Sequence, residues 1–216
     1  MVNFLLLIES IVNYTKEDID KGETPSEIYK ICSCIRETFC LSYAIRKDNN
    51  LFLYFHKNGV LIKFVGHELK YLGSDERSQA LLLKKALDKI KQINSLEIEN
   101  WLKSTPGIYM RKVLNNISFF NYLNSLESFK PIYIIDNKDA RILELHSIIK
   151  KFNSLNNLLE YFFVIPTYNL ATKDSKFFQL FKELKDIRFF TLSKIEKLED
   201  KILYINFQSD LLRNRD

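Results

Sequence analysis

The residues with the clearest chemical potential form three short phrases in the first half of the 216-residue chain. They read Ile-Lys-Phe-Val-Gly-His-Glu-Leu-Lys at 62–70, Ser-Asp-Glu-Arg at 74–77 and Ser-Thr-Pro-Gly-Ile-Tyr-Met-Arg-Lys at 104–112. In the third phrase Tyr109 stands beside the cations Arg111 and Lys112. A ring that can stack on a base, next to cations that can contact phosphate, suits an RNA-binding surface. The alternative is a turn at Pro106-Gly107 that leads to a solvated basic edge.

A helix must lie between the first and third phrases. Its apolar residues recur at the three-to-four-residue spacing of one buried helix face, at Leu83, Ala86, Leu87, Ile90 and Ile93. Ser74 is the predicted N-cap, and Asp75 and Glu76 in the first turn suit the positive end of the helix dipole.

An earlier helix begins at Thr24-Pro25-Ser26-Glu27, where Thr24 can cap and Glu27 can reach back to the cap. This pattern allows Glu27 to be only a capping residue. Ile28, Cys32, Ile35 and Phe39 then line one helix face. Strands are predicted at Phe4–Ile8 and, around a turn at Lys57-Asn58-Gly59, at 51–56 and 60–65.

The second half alternates short apolar strands with helical segments, which predicts one α/β domain with a parallel sheet covered on both faces. The predicted strands are 132–136, 161–165, 189–192 and 202–207, and the predicted helices are 142–157 and 173–184. Residues 206–216 are predicted to form a polar tail.

Composition limits the classes of site. The net charge of +5 permits a nucleic-acid face without requiring one. Cys32 and Cys34 point to different faces of a helix, and the histidines have no ligand spacing, so no metal site is predicted. Reduced cysteines, and the lack of a segment long enough to cross a membrane, predict a cytoplasmic protein without membrane contact.

The three phrases, in this order and spacing, resemble the archaeal tRNA pseudouridine N1-methyltransferase family of the SPOUT superfamily. The resemblance implies a mostly parallel sheet flanked by helices, with a C-terminal trefoil knot. It implies a homodimer that transfers a methyl group from S-adenosylmethionine to N1 of pseudouridine in the tRNA T-loop. The single domain, residues 1–216, would divide into an RNA-facing half (1–112), a knot and cofactor half (113–207) and the tail (208–216).

The resemblance also assigns residues to the two ligands. The RNA-facing set is Arg46, Lys47, Lys63, Arg77, Tyr109, Arg111 and Lys112. The cofactor set is Ile165, Pro166, Thr167 and Asn169 in one loop, and Thr191, Leu192 and Ser193 in another. Arg77 has an alternative role, in which it pairs with a carboxylate inside the protein and fixes its loop.

Departures from the family pattern leave a second function open. Ser26, Glu27 and Tyr29 stand where the family has Gly, Arg and Asp, and the five glycines, at 22, 59, 66, 73 and 107, all precede the cofactor set. Glycine lets a ligand approach the backbone closely, and Pro166 lacks a backbone donor. The alternative is thus a SPOUT relative that binds RNA or a protein without transferring methyl groups.

Overall fold

The computed structural model describes residues 2–92, 100–126, 130–135, 161–167, 170–172, 175–184 and 186–213. The strands are β1 (Val2–Ile8), β2 (Asn49–Phe55), β3 (Val60–Val65), β4 (Leu102–Thr105), β5 (Ile108–Lys112), β6 (Lys130–Ile134), β7 (Tyr161–Pro166) and β8 (Arg188–Phe190). The helices in these ranges are α1 (Lys16–Asp20), α2 (Ser26–Phe39), α3 (Glu76–Lys91), α4 (Asn116–Asn124), α5 (Lys176–Lys182) and α6 (Leu198–Arg213).

The eight strands of the described ranges form one sheet in the order β4-β5-β3-β2-β1-β7-β6-β8. The five adjacent strands β2, β1, β7, β6 and β8 run parallel to one another. Beyond β2, the strands β3, β5 and β4 extend the sheet, and each is antiparallel to its neighbour. The predicted α/β class and mostly parallel sheet are confirmed. The predicted helix at 142–157 lies outside the described residues.

The central strands are buried on both sides because helices cover both faces of the sheet. In β1, Phe4 and Leu6 belong to one apolar cluster with residues of α2, α3 and α6. The intervening Leu5 and Leu7 belong to a second cluster with residues of α4 and α5. Alternate side chains of a strand point to opposite faces, so a continuous apolar run such as Phe4–Ile8 predicts this two-sided burial.

The prediction of a strand at 202–207 is wrong, because these residues lie within α6. The run Ile-Leu-Tyr-Ile-Asn-Phe has the β-branched and aromatic composition of a strand. Its burial, however, follows a helical period: Leu198, Ile202 and Ile205 join the cluster with α2, while Leu203 and Phe207 are exposed. Tertiary packing of one helix face therefore outweighs local strand propensity.

Residues 206–213, predicted as part of a polar tail, instead continue α6 and are fixed by polar contacts. The Asn49 side-chain amide donates to Asn206 Oδ1 at 3.0 Å, and Asn206 Nδ2 donates to the Glu37 carbonyl at 2.7 Å. Arg46 forms an ion pair with Asp210 at 2.6 Å. A buried amide needs such partners, and the buried Asn206 finds them on α2 and at the start of β2.

The first and third sequence phrases interlock at the amino ends of the parallel strands. Val65 N donates to the Gly107 carbonyl at 2.8 Å, and Gly107 has φ of 80° in the turn between β4 and β5. A β-carbon at Gly107 would lie 2.6 Å from Leu69 N. The predicted turn at Pro106-Gly107 is confirmed, and glycine is required there by both conformation and contact.

Gly107→Ala is expected to lower the free energy of unfolding by about 2 kcal/mol more than Gly22→Ala does. Gly22 has a similar φ of 74°, but no atom lies within 4 Å of the position its β-carbon would take. The pair therefore separates the clash with the 68–69 backbone from the strain of positive φ. Urea unfolding of both variants measures the difference, and equal losses would contradict the interlocking contact.

Candidate active site

A cavity of about 510 Å³ opens at the carboxyl end of β1. The strands β1 and β7 are neighbours in the sheet. From β1 the chain passes through α1 and α2 to β2, towards one edge of the sheet, whereas from β7 it passes through α5 to β8, at the opposite edge. Neighbouring strands whose connections depart in opposite directions leave a crevice, and open α/β sheets bind ligands there. The cavity thus lies at the position where this topology favours a ligand.

Residues from the end of β1, from α2, from the loop after β7 and from α6 line the cavity. They are Leu6, Ile8, Glu9, Ser10, Val12, Glu27, Ile28, Lys30, Ile31, Cys34, Thr167 and Leu198. The walls are largely apolar, with a few charged and hydroxyl groups. Its volume and lining are those of a small-molecule or nucleobase site.

Glu27 projects from the first turn of α2 into this lining. The prediction that Thr24 caps the helix is wrong: Pro25 is the N-cap, and no side chain caps the helix. Glu27 is exposed, and its Oε2 accepts a hydrogen bond from the Ser26 hydroxyl at 3.1 Å. The helix cap therefore does not explain Glu27, whose carboxyl is available to a ligand in the cavity.

The second carboxylate of the cavity, Glu9, is neutralised. Lys57 Nζ lies 2.5 Å from Glu9 Oε1, and Lys57 N donates to the Glu9 carbonyl at 3.0 Å. The hydrogen bond and positive charge of Lys57 lower the pKa of Glu9. Glu9 and Glu27 thus have different environments, because a lysine compensates only the first among the described residues.

The cofactor set meets the cavity at one residue, Thr167. Ile165 and Pro166 are buried in β7, and Thr167 N donates to the Leu7 carbonyl at 2.9 Å. Asn169 lies outside the described residues. After β8, Thr191 and Leu192 are buried and Ser193 is exposed. Among the described residues, the buried Thr191 hydroxyl has no hydrogen-bond partner.

The RNA-facing set does not form one cluster. Lys63 and Tyr109 are directly paired across β3 and β5, and Arg111 follows on the same face of the sheet. Arg46 and Lys47 lie near Gly66, at the Val65 end of β3, whereas Lys112 pairs with Val60 at the other end. The length of β3, about 17 Å, separates the two groups, and the cavity lies at the Val60 end.

Several members of the RNA-facing set contact protein side chains, in addition to Arg46 with its ion pair to Asp210. Tyr109 donates a hydrogen bond to Glu68, which raises the pKa of the Tyr109 hydroxyl. Arg111 is only 8% exposed, and its guanidinium lies 4.8 Å from the ring centre of Tyr122 and 5.5 Å from that of Trp101. These cation–π contacts give Arg111 a packing role whatever it does for RNA.

The alternative role for Arg77 agrees with the geometry. Its Nε and one terminal nitrogen both donate to Asp20 Oδ1, at 3.0 and 2.8 Å, joining α3 to α1. Lys63 is partly buried over the Phe52 ring, and this burial lowers the pKa of Lys63. Lys47 is an exposed cation in the set.

Sequence reasoning did not assign Glu9, Ser10, Lys30 or Leu198 to a site. A signal for the first two was present, since Glu9-Ser10 directly follows the buried run Phe4–Ile8. Polar residues at the carboxyl end of a parallel strand are positioned to meet a ligand. The contribution of Leu198 depends on the docking of α6 against α2, which local sequence did not indicate.

Within the described ranges, no group of three or more histidine, cysteine, aspartate or glutamate residues could hold a metal ion. In the same ranges, no helix combines the length and apolar character needed to cross a membrane.

Comparison with known proteins identifies relatives of the chain. Residues 3–151 match the family model described as "Putative SAM-dependent RNA methyltransferase". Similar proteins named tRNA (pseudouridine(54)-N(1))-methyltransferase occur in archaea. The Methanocaldococcus jannaschii protein is 38% identical over 128 residues, covering 56% of this chain and 60% of that protein. The Methanococcus aeolicus protein is 34% identical over 160 residues, covering 72% of each.

A third relative, from Methanocella arvoryzae, is 32% identical over 135 residues and aligns with 61% of this chain and 64% of its own length. The chain thus matches less than two thirds of the length of two of these three relatives. The family match nevertheless includes β1, α2 and the three sequence phrases, and it spans well over half of the chain. The chain therefore belongs to the SAM-dependent RNA methyltransferase family that includes the archaeal tRNA pseudouridine N1-methyltransferases.

Proposed function

We propose that this protein methylates N1 of pseudouridine in the T-loop of tRNA, with S-adenosylmethionine as methyl donor, in the cytoplasm. The observation that carries the proposal is the cavity at the carboxyl end of β1. There Glu27, from the helix start that the resemblance assigns to the base, and Thr167, from the cofactor set, line one space. A methyl transfer needs the base and the donor in the same enclosed site.

The described residues fit the cofactor in size and polarity. The apolar walls suit an adenosine group, and the lining residues Ser10 and Thr167 bring hydroxyl groups to the same space. We assign the cofactor to Ile165, Pro166, Thr167 and Asn169 together with Thr191, Leu192 and Ser193. When bound, S-adenosylmethionine supplies an activated methyl group, while the protein orients the base and excludes water.

The RNA-facing set would hold the tRNA outside the cavity. Lys63, Tyr109 and Arg111 share one sheet face, and Lys103 Nζ lies 5.7 Å from the Tyr109 ring centre, so cations flank an aromatic ring. Such an arrangement favours contact with bases and phosphates together. Lys47 and Arg46 lie beyond the Val65 end of β3 and would contact another part of the same RNA.

The affinity for tRNA is expected to fall steeply as salt concentration rises, because cation–phosphate contacts release counterions. Lys47→Ala is expected to reduce the slope of log affinity against log salt by about one. Lys85→Ala, an exposed lysine on α3 outside the RNA-facing set, serves as the matched control. Fluorescence anisotropy at several salt concentrations measures both, and equal slopes for the two variants would remove Lys47 from the RNA surface.

We further propose a C-terminal trefoil knot and a homodimer. The parallel strands β6, β7 and β8 and the return of α6 to α2 are compatible with the knot that the resemblance implies. Leu203, Phe207 and Leu211 form an exposed apolar stripe at four-residue spacing on α6. Such a stripe on a helix that is otherwise docked favours a second copy of the chain across a two-fold axis.

The decisive experiment incubates purified protein with S-adenosylmethionine and a T-arm stem-loop that contains pseudouridine. Mass spectrometry of the digested RNA is expected to reveal N1-methylpseudouridine in amounts exceeding the enzyme. A stem-loop with uridine at the same position is the control. If calorimetry detects no cofactor binding and no product forms, the methyltransferase proposal is wrong.

Two observations favour the alternative function, an RNA-binding relative without methyl transfer. The backbone N–H of Thr167 already donates to the Leu7 carbonyl, and Pro166 has no backbone N–H. The loop therefore offers a ligand fewer backbone hydrogen bonds than a glycine loop would. This alternative predicts salt-dependent tRNA binding that S-adenosylmethionine does not change. The calorimetric titration separates the two functions directly.

A further inference from the structure

We propose that Glu27 recognises the N1–H group of pseudouridine and accepts its proton during methyl transfer. This inference rests on the proposed function, because it names the recognition and proton-transfer group of the same cavity. It assigns to this chain a carboxylate at the position where the family resemblance has an arginine. The expected consequence is selection of pseudouridine over uridine by one side chain.

The geometry distinguishes Glu27 from its neighbours. It lines the cavity from the first turn of α2, whereas Tyr29, two residues further on, is exposed and is not among the lining residues. Tyr29 lies about 200° from Glu27 around the helix axis and is 48% exposed, so it faces away from the cavity that Glu27 lines. A carboxylate that acts in this space must therefore come from position 27 rather than from position 29, where the family has aspartate.

Electrostatics point to the same residue. Lys57 neutralises Glu9 at 2.5 Å. Among the described residues the polar partner of the Glu27 carboxylate is the Ser26 hydroxyl, at 3.1 Å from Oε2. A hydroxyl orients a carboxylate but leaves it able to accept further hydrogen bonds. Glu27 is thus the cavity carboxylate with capacity for an N–H donor from a ligand.

The chemistry of the two bases explains the selectivity. Pseudouridine is attached to ribose through carbon, so its N1 carries a hydrogen, whereas N1 of uridine carries the sugar. Pseudouridine can therefore donate a hydrogen bond from N1 to Glu27, and uridine presents a C–H group at the equivalent edge. A site that satisfies a polar group with one substrate rejects the analogue that leaves the group unpaired.

Proton transfer follows from the same contact. One oxygen of Glu27 accepts the N1 proton, and the electron pair of the broken N–H bond stays on the ring. That pair forms the bond between N1 and the methyl carbon, while the electrons of the methyl–sulfur bond remain on sulfur. Sulfur becomes neutral, the base gains a methyl group, and Glu27 later returns the proton to solvent. Positioned general bases accelerate such steps by about 10²–10⁴-fold.

The test compares Glu27→Gln, Glu27→Ala and Glu27→Asp, with Tyr29→Phe as a control outside the cavity. Binding of pseudouridine and uridine stem-loops is measured by anisotropy without cofactor, and kcat and KM are measured with it. The amide oxygen of Gln can accept the N1–H bond but cannot take the proton. Glu27→Gln is therefore expected to keep the preference for pseudouridine and lower kcat by about 10²–10⁴-fold.

Glu27→Ala is expected to lose both the preference and the rate, and Glu27→Asp to retain part of each. Thermal unfolding of each variant checks that the fold is intact. Wild-type kcat in Glu27→Gln, or an unchanged base preference in Glu27→Ala, would overturn the inference even if the enzyme methylates pseudouridine. If wild type produces no product but Glu27 still decides the base preference, the recognition role stands and the proposed function fails. Equal binding of both stem-loops by wild type would overturn the recognition role.

Discussion

Replacing Ile202 by alanine is expected to lower the free energy of unfolding by about 4 kcal/mol. Ile202 is 0% exposed and packs in the apolar cluster between α6, α2 and the sheet. Truncation would remove buried methyl and methylene groups and leave a cavity that the surrounding helices cannot fill. Since domains of this kind are stable by only about 5–15 kcal/mol, such a loss is a large part of the total.

The matched control is Leu203→Ala, the next residue along the chain, which is 47% exposed. Its effect is expected to stay within about 0.5 kcal/mol, as for most surface substitutions. Urea unfolding in dilute solution measures both variants, and a series of protein concentrations reveals any contribution from association. Similar losses at 202 and 203 would contradict the helical orientation of this segment.

Ile202 and Leu203 lie in a segment whose secondary structure the sequence did not predict correctly. Strand β3 was predicted at its observed bounds, because a short apolar run and a turn signal at Lys57-Asn58-Gly59 are local properties. Residues 202–207 have equally strong strand composition but form a helix, because burial against α2 selects one face of a helix. Long-range packing of this kind is not encoded in a six-residue window.

The parts of the site that depend on local sequence could be predicted, and the parts that depend on long-range packing could not. The phrase around Gly107 predicted a specific turn, and the structure gives its physical basis in the close approach of Gly107 to the backbone of residues 68–69. The cavity combines residues from β1, α2, the loop after β7 and α6, which are far apart in the chain. No spacing rule brings Glu27 next to Thr167; only the sheet order, which places β1 beside β7, does so.

Arg111 illustrates how residue type alone can leave a role open. A cation beside Tyr109 and Lys112 favours an RNA contact, yet its guanidinium is buried against the rings of Trp101 and Tyr122. These two rings come from segments on either side of β5, so their approach to Arg111 depends on the fold rather than on the phrase. An arginine held in this way can stiffen the surface that presents Lys63 and Tyr109.

Phe207→Glu is expected to convert the proposed homodimer into a monomer. Phe207 is 54% exposed and lies at the centre of the stripe formed with Leu203 and Leu211. A central aromatic residue of an interface commonly contributes 2 kcal/mol or more, so the dimer dissociation constant should rise by at least about thirtyfold. The introduced carboxylates would also face each other across a two-fold axis and repel.

The control Asn121→Glu adds the same charge at an exposed position on α4, on the opposite side of the sheet, and should leave association unchanged. Sedimentation velocity at micromolar concentrations measures both variants. A dimer that persists in Phe207→Glu would place the interface elsewhere, and a monomeric wild-type protein would remove the homodimer from the proposal.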